Sequence, residues 1–389
     1  MPQMPEVRLT AKGWRWQRRG HPWIYRDDLA AAPALPGSEL VRVLDHQGRF
    51  LGQAFYSAKS RIALRFVTHL EEAVDRGFWE QRLEQALAYR RRVVSNSDAF
   101  RLIYGEADGF PGLIADSYAG HLVLQVLHPG MEGLLPEILE LTQKHLSPLS
   151  LTLRNDVEIR TLEGLPREVN TIWGELPPLV EVREGGVRLL ADLKGGQKTG
   201  LFLDQRENHL AAGAYAQGEA LDCFSYQGGF ALHLARGCLK VTLVESSGAA
   251  LTRAQENARL NQLENLHPVK ENVFAFLKDA VNAGRRFDCI VLDPPAFAKS
   301  RRDRESAIKG YREINRRAMQ LLNPGGVLIT CSCSYNLSEP EFLEIVRLAG
   351  ADAHRQARLI ERRGASRDHP ALLSLPESLY LKCFILEVI

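Results

Sequence analysis

The run Phe287-Asp288-Cys289-Ile290-Val291-Leu292-Asp293-Pro294-Pro295 is apolar until it ends in a carboxylate, and Thr330-Cys331-Ser332-Cys333-Ser334 closes a second apolar run with two thiols. Ligands of α/β sheets bind outside the carboxyl ends of the strands, so a carboxylate and a thiol arriving there could share one cleft. The first run is short and rich in branched apolar residues, as a strand covered on both faces should be. The Pro-Pro pair cannot continue it, which leaves Asp293 at its tip. The second run follows the turn signal Asn323-Pro324-Gly325-Gly326, and Cys331 and Cys333 would share a face if the strand persists that far. The competing reading for every cysteine here is a small buried hydrophobe, the commonest fate of a free Cys.

The elements that must position these groups divide the chain into three. From about residue 187 onward, strands alternate with helices, which predicts a mostly parallel, doubly wound α/β sheet. Its strands are expected at 220–224, 241–245, 266–270, 289–292, 327–330 and 379–388, with long helices at 249–263 and 305–322. A middle α+β domain is expected from 71 to 185. It opens with a helix at 72–95 presenting Phe78, Leu83, Leu87 and Val94, continues with strands at 102–104, 112–116 and 122–127, and has a further helix near 134–145. Residues 1–70 read as a small β-barrel module, with a hairpin through 40–44 and 50–56 and a third strand at 61–67.

At 389 residues the chain is too long for one ordinary core. No apolar run is long enough to span a bilayer and no signal-peptide core interrupts the N-terminus, so a cytoplasmic protein without membrane contact is expected. The six cysteines all lie in the second half and form no CxxC pair. Neither a disulfide framework nor a metal site is expected from them. The net charge of +2 is unevenly divided: residues 1–70 carry eleven Lys or Arg against five acids, a local +6, which leaves −4 for the rest. Aromatics interleave with this charge in Trp14-Arg15-Trp16, with Arg18 and Arg19 following, and again in His21-Pro22-Trp23-Ile24-Tyr25-Arg26. Such a pattern suits base stacking and phosphate contact; the alternative is that Trp23 and Tyr25 fill the barrel while the arginines solvate it. A second basic run, Lys299, Arg301, Arg302 and Arg304, follows the Asp-Pro-Pro-Ala-Phe turn. It would grip an RNA backbone or simply be solvated.

The first strand of the late sheet leads into Asp222-Cys223-Phe224-Ser225-Tyr226-Gln227-Gly228-Gly229, and the second ends in Glu245, 23 residues past Asp222. A carboxylate at that second position accepts hydrogen bonds from both hydroxyls of a ribose. The GxGxxG of a dinucleotide site and the GxxxxGK[ST] of a triphosphatase are both absent. Asp222 would repel a phosphate but attract an ammonium group. A nucleoside joined to an amino acid answers both demands, and S-adenosylmethionine is such a molecule.

Asp222, Gly228, Glu245 and Asp293-Pro294-Pro295, in that order, resemble a class I methyltransferase. With Gly195-Gly196-Gln197-Lys198-Thr199-Gly200-Leu201-Phe202-Leu203-Asp204-Gln205-Arg206, Tyr104-Gly105-Glu106-Ala107-Asp108-Gly109 and the tail Tyr380-Leu381-Lys382, the chain resembles the RlmI-like family of bacterial ribosomal RNA cytosine-C5 methyltransferases over nearly its whole length. The resemblance implies an N-terminal PUA domain for RNA binding (1–70), a middle domain (71–185) and a Rossmann-like catalytic domain (186–389). It also implies S-adenosylmethionine as methyl donor, and large-subunit ribosomal RNA or an assembling subunit as partner. Asp222, Phe224 and Gly228 would lie beside the methionine part and Glu245, with Ser246, at the ribose. The 197–202 loop, with Gln197 and Phe202, would close over the cofactor. Asn272, followed by Val273, stands where relatives usually place an Asp for the adenine amino group, a departure in which the amide oxygen would have to accept. The catalytic pair implied is Cys333 as nucleophile, with Cys331 as fallback, and Asp293 as partner to the cytosine. Ala296 stands where many other RNA cytosine-C5 methyltransferases have a second Cys, so the group that removes the carbon-5 proton is left open between water and Asp293. Two rival readings are methylation of an exocyclic base nitrogen, which needs no thiol, and a non-catalytic RNA-binding assembly factor. The oligomeric state stands open between monomer and homodimer.

Overall fold

The apolar run ending at Asp293 is the centre of a seven-stranded sheet. The computed structural model describes residues 4–31, 35, 37–298 and 301–389, apart from the side chain of Arg301. They fall into two units: one of Met1–Val182, Ala191–Leu201 and Asp368–Ser378, the other of Arg183–Leu190, Phe202–Arg367 and Leu379–Ile389.

The second unit contains strands β1 (Glu219–Cys223), β2 (Lys240–Glu245), β3 (Leu266–Lys270), β4 (Phe287–Leu292), β5 (Leu322–Ser332), β6 (Ala357–Arg363) and β7 (Lys382–Val388). Their spatial order is β3-β2-β1-β4-β5-β7-β6, with β7 antiparallel to both of its neighbours and the first five strands mutually parallel. This is a doubly wound, Rossmann-like sheet. Its helices are α1 (Arg206–Gly213), α2 (Gly229–Ala235), α3 (Gly248–Leu260), α4 (Val273–Asn282), α5 (Arg304–Leu321) and α6 (Glu339–Asp352). Alternate strand residues feed two cores. Leu221, Ile290 and Leu328 pack with residues of α4, α5 and α6, while Ala220, Val291, Ile329 and Cys331 pack with residues of α2 and α3. The strand order turns back between β1 and β4, the place where an open α/β sheet leaves a crevice at its carboxyl edge. Pairing of Asp222 with Val291 and of Cys223 with Leu292 brings the Asp222 and Asp293 ends side by side.

Two expectations change here. Asn323-Pro324-Gly325-Gly326 is an irregularity inside β5 rather than a turn before it: pairing with β4 jumps from Phe287–Leu322 to Cys289–Val327, and Gly325 has φ +79°. β6 carries almost no burial signal, being exposed at most positions as an outer strand can be, and the sequence reading passed over it.

In the first unit, strands Glu6–Arg8, Leu40–Leu44, Phe50–Tyr56, Ile62–Thr68 and Trp23–Tyr25 form one sheet in that spatial order. The module is not purely β. A short helix, Ala11–Gln17, carries Trp14 and Arg15, and Thr10 caps it by accepting from Gly13 N. A second sheet runs Val169–Gly174, Ser150–Arg154, His121–Val126, Leu113–Tyr118, Ala99–Tyr104. Helix Arg76–Val93 faces it through Trp79, Leu83, Ala86 and Leu87. Trp79, rather than Phe78, is the buried ring at its start, because the buried stripe follows 79, 83, 86 and 87 at helical spacing. Phe55 and Val67 of the first sheet enter this same core.

Candidate active site

Every polar group expected on the late sheet lies at its carboxyl edge. Asp222 ends β1 with its side chain buried; its Oδ2 accepts from the backbone N–H of Ala231 at 3.0 Å, in the first turn of α2, and its Oδ1 is buried without a partner. Burial, then the nearby Asp293 and Glu245 carboxylates, push the Asp222 carboxyl well above the usual range. The loop that follows is unusual in its backbone: Phe224 (φ +60°), Tyr226 (φ +47°) and Gly228 (φ +85°) are all left-handed. Such conformations in non-glycine residues cost roughly 1–3 kcal/mol each and persist where the surroundings impose them, typically around ligands. Here the loop is held to β2, since Phe224 N and Ser225 N both donate to Val244 O and Tyr226 N donates to Glu245 Oε2 at 3.1 Å. The other oxygen of Glu245 accepts from Ser247 N and from the hydroxyl of Ser246. Oε2 thus keeps lone-pair capacity for an incoming hydroxyl, while Oε1 could accept another only by releasing the Ser246 hydroxyl.

Asn272 caps α4, its Oδ1 accepting from the backbone N–H groups of Phe274 (2.9 Å) and Ala275 (3.3 Å). The amide oxygen expected to receive the adenine amino group thus also serves as the cap of α4. Phe202 presents its ring edge to the Tyr226 ring at 5.3 Å. Gln197 lies in the other unit, where the loop is anchored. The Thr199 hydroxyl donates to Asp116 Oδ2 at 2.6 Å and sits 2.7 Å from the Tyr118 hydroxyl, and Arg154 donates to Leu193 O and Gly196 O.

At the tip of β4, Asp293 Oδ1 accepts from Gln205 Nε2 at 2.9 Å, and Gln205 is in turn fixed by Asn208 at 2.6 Å. The sequence offered no signal for Gln205 beyond its place in a resembling motif, because the contact spans 88 residues.

The two cysteines of the late run part company. β5 ends at Ser332, so the alternation that would have put both thiols on one face stops before Cys333. Cys331 is fully buried opposite Cys383 of β7, and burial, reinforced by Cys383, pushes its thiol well up. Cys333 alone of the six is not buried, and its Sγ stands 3.9 Å from the Pro294 carbonyl. The flanking serines explain the Ser-Cys-Ser pattern. Ser332 Oγ donates to the Tyr311 hydroxyl at 3.0 Å, Ser334 Oγ lies 2.9 Å from that hydroxyl, and Ser334 Oγ accepts from Ala298 N. The serines therefore tie the Cys333 turn to α5 and to the segment after Asp293-Pro294-Pro295.

On the first unit, Arg15, Arg18 and Arg19 are exposed and Trp14 is half-buried under the Arg18 guanidinium, 5.0 Å from its ring. Lys12, Arg15, Trp16, Arg19, Tyr25 and Asp28 line an open cavity of about 450 Å³. Trp23 and Tyr25 do not fill the barrel. Ile24 between them does, while Trp23 Nε1 donates to Glu106 at 2.7 Å. Arg302 is exposed; Lys299 and the side chain of Arg301 lie outside the described residues. Arg304 pairs with Glu341. No described helix is long and apolar enough to cross a membrane. Spacing in the sequence also missed one buried cluster, Glu184, His209 and His233, whose ligand-type atoms lie within 4.8 Å of one another.

Comparison with known proteins agrees with this fold. Residues 7–69 match the PUA-like domain family and residues 154–371 the S-adenosylmethionine-dependent methyltransferase family. The chain is 40% identical over 379 residues to a ribosomal RNA large subunit methyltransferase I of Klebsiella pneumoniae, covering 95% of each chain. It is 38% identical to the one from Salmonella newport, covering 100% of this chain and 98% of that one. The chain belongs to this methyltransferase I family. The fold is shared with SMU.776, crystallised with SAH: TM-score 0.85 at 20% identity, over 99% of this chain and 100% of that one. Nothing in these relatives supports a homodimer. S-adenosylmethionine is the family's cofactor, and the residues present fit it: the unpartnered buried oxygen of Asp222 suits the methionine ammonium, and Glu245 Oε2, which accepts only one bond, suits a ribose hydroxyl.

Proposed function

We propose that this chain methylates carbon 5 of a cytosine in large-subunit ribosomal RNA, through a transient bond between Cys333 and carbon 6 of the base. The observation that carries this reading is the placement of Cys333. It is the sole cysteine not buried, and its sulfur is 3.9 Å from the carbonyl of Pro294, next to Asp293. The names of the relatives support the RNA class, and the basic, aromatic cavity around Arg15, Trp16 and Arg19 supports a nucleic-acid partner.

Carbon 5 of cytosine is a weak nucleophile. Addition of the Cys333 thiolate to carbon 6 forms a C–S bond, pushes the ring's π electrons toward carbon 5 and splits one hard step into easier ones. S-adenosylmethionine, when bound, supplies the methyl group that carbon 5 then takes. Loss of the carbon-5 proton to a base returns the electron pair to the ring, restores the 5,6 double bond and expels the thiolate. Asp293, oriented by Gln205, is placed to bond the ring's amino group or protonated N3 and so stabilise the adduct. Adenine would be recognised through the Asn272 amide N–H and the backbone N–H of Val273, one of the unpaired donors of the first turn of α4. The target base must leave its stack to reach this site, at a cost of a few kcal/mol that backbone contacts on the basic module offset.

The test is to map 5-methylcytosine across ribosomal RNA from cells with and without this protein, and to compare Cys333→Ser with the native enzyme in vitro. We expect one site to lose its mark, and C333S to lose at least about a thousandfold in methyl transfer while still binding SAH. Undiminished methylation by C333S would instead indicate transfer to an exocyclic nitrogen. SAH binding without any transferable methyl group in RNA would indicate an assembly factor.

A further inference from the structure

A thiol of ordinary pKa is only a few per cent thiolate at neutral pH, and nothing in the sequence names the group that would favour the anion at Cys333. Among the described residues, one buried cation bonds to the Cys333 turn. Lys382, the first residue of β7, lies opposite Ser332 across the β5–β7 ladder and is 3% exposed. Its Nζ donates to three backbone carbonyls: Ser334 O at 2.7 Å, Tyr380 O at 2.8 Å and Leu337 O at 2.9 Å. Two of these acceptors belong to the turn that begins at Cys333. A buried ammonium with two of its three donors on one turn and the third on the segment leading into β7 ties that turn to the strand.

Building on the covalent reading above, we infer that Lys382 is a positioning residue for the nucleophile: it fixes the turn that presents Cys333 beside Pro294, and its buried positive charge favours the thiolate. Burial pushes the Lys382 ammonium down to about 8, and Cys333 is foremost among the groups acting against that shift, so the two are electrostatically linked. The other ionisable groups around the turn fit this assignment. The Tyr311 phenol is pushed up by burial and stays neutral. On α6, Glu341 pairs with Arg304 and accepts from Ser338, while the exposed Glu339 carboxylate lies 3.9 Å from Arg362. Asp293 is bonded to Gln205. Among the described residues, Lys382 is thus a buried cation with two of its three donors on the Cys333 turn.

The experiment is the pH dependence of iodoacetamide alkylation of the full-length protein without RNA, with C333S as the blank, because the other five thiols are buried. Replacing Lys382 by Met removes the charge and keeps the bulk, and we expect the Cys333 alkylation profile to move about one pH unit upward, roughly a tenfold slower rate at pH 7. In methyl transfer, kcat should fall at least as far and recover partly at alkaline pH, with SAH affinity within about twofold of native. Lys382→Arg keeps the charge but changes the donor geometry; its alkylation profile should stay near native while kcat falls. If K382M does not fold, K382R still decides, since an Arg variant with native kcat would refute the clamp. A K382M profile superimposable on the native one would refute the electrostatic role. Alkylation reads the thiol alone, so failure of the cytosine-C5 chemistry would show in C333S methylation and leave this measurement intact.

Discussion

Asp222, in the proposed cofactor site, carries a cost in stability. A buried carboxylate with one oxygen unpartnered and two other carboxylates nearby is unfavourable until an ammonium arrives. Because its pKa is raised on folding, the stability linked to it is full below the ordinary value of 3.8 and is lost as pH rises through the higher folded value. Asp222→Asn should therefore raise the melting temperature of the ligand-free protein at pH 7, with the advantage fading below pH 4. The same change should weaken SAH binding about tenfold or more, because the ammonium loses its counter-charge. Thermal denaturation with and without SAH reads both effects. A less stable variant with undiminished SAH affinity would overturn this account.

At the scale of elements, the loops at the carboxyl edge of the late sheet are held by contacts distant in sequence. The hairpin Val180–Glu184 and Val187–Ala191 turns through Gly185 and Gly186, both with positive φ as a tight turn between twisted strands requires. Glu184 at that turn is buried, and its Oε1 lies 2.7 Å from His209 Nδ1 on α1 and 3.2 Å from His233 Nε2 on α2. His209 lies directly over Gly229, where an added Cβ would fall 2.6 Å from the ring, so this cluster backs the cofactor loop. Although burial acts the other way, the two imidazoles pull the Glu184 carboxyl down to about 2 from 4.5. Its contribution is therefore present above the ordinary value and is lost as pH falls toward 2. Glu184→Gln should cost roughly 2–4 kcal/mol at pH 7, and most of that difference should vanish by pH 3 in urea denaturation. An equal deficit at both pH values would show that packing, not charge, is what the residue contributes.

For the whole molecule, the module that carries the basic surface does not have a core of its own alone: Phe55 and Val67 pack with Trp79, Phe110 and Met131 of the middle sheet. Deleting residues 1–70 would open that core, so its RNA role is better tested by charge. Neutralising Arg15, Arg18 and Arg19 to Gln should weaken RNA binding at low salt and reduce the slope of log affinity against log salt by about 2, leaving SAH affinity unchanged. An unchanged slope would remove these arginines from the interface. Much of the design was legible in the chain itself. The uninterrupted apolar run of β4 ending at Pro-Pro, the Asp222-to-Glu245 spacing and the strand–helix alternation are local patterns, and local patterns fix element type and the ends at which polar residues emerge. What the chain could not disclose was which distant groups meet. The end of β5 one residue before Cys333, the burial of Cys331 against Cys383, the Gln205–Asp293 bond, the capture of Asn272 as a helix cap and the Lys382 clamp all depend on strand pairing and side-chain packing between residues far apart in sequence. Composition and periodicity thus determined the sheet and the edge where its polar residues emerge, and tertiary packing alone decided which thiol is left unburied there and which ammonium bonds to its turn, because hydrogen bonds and burial are properties of neighbours in space.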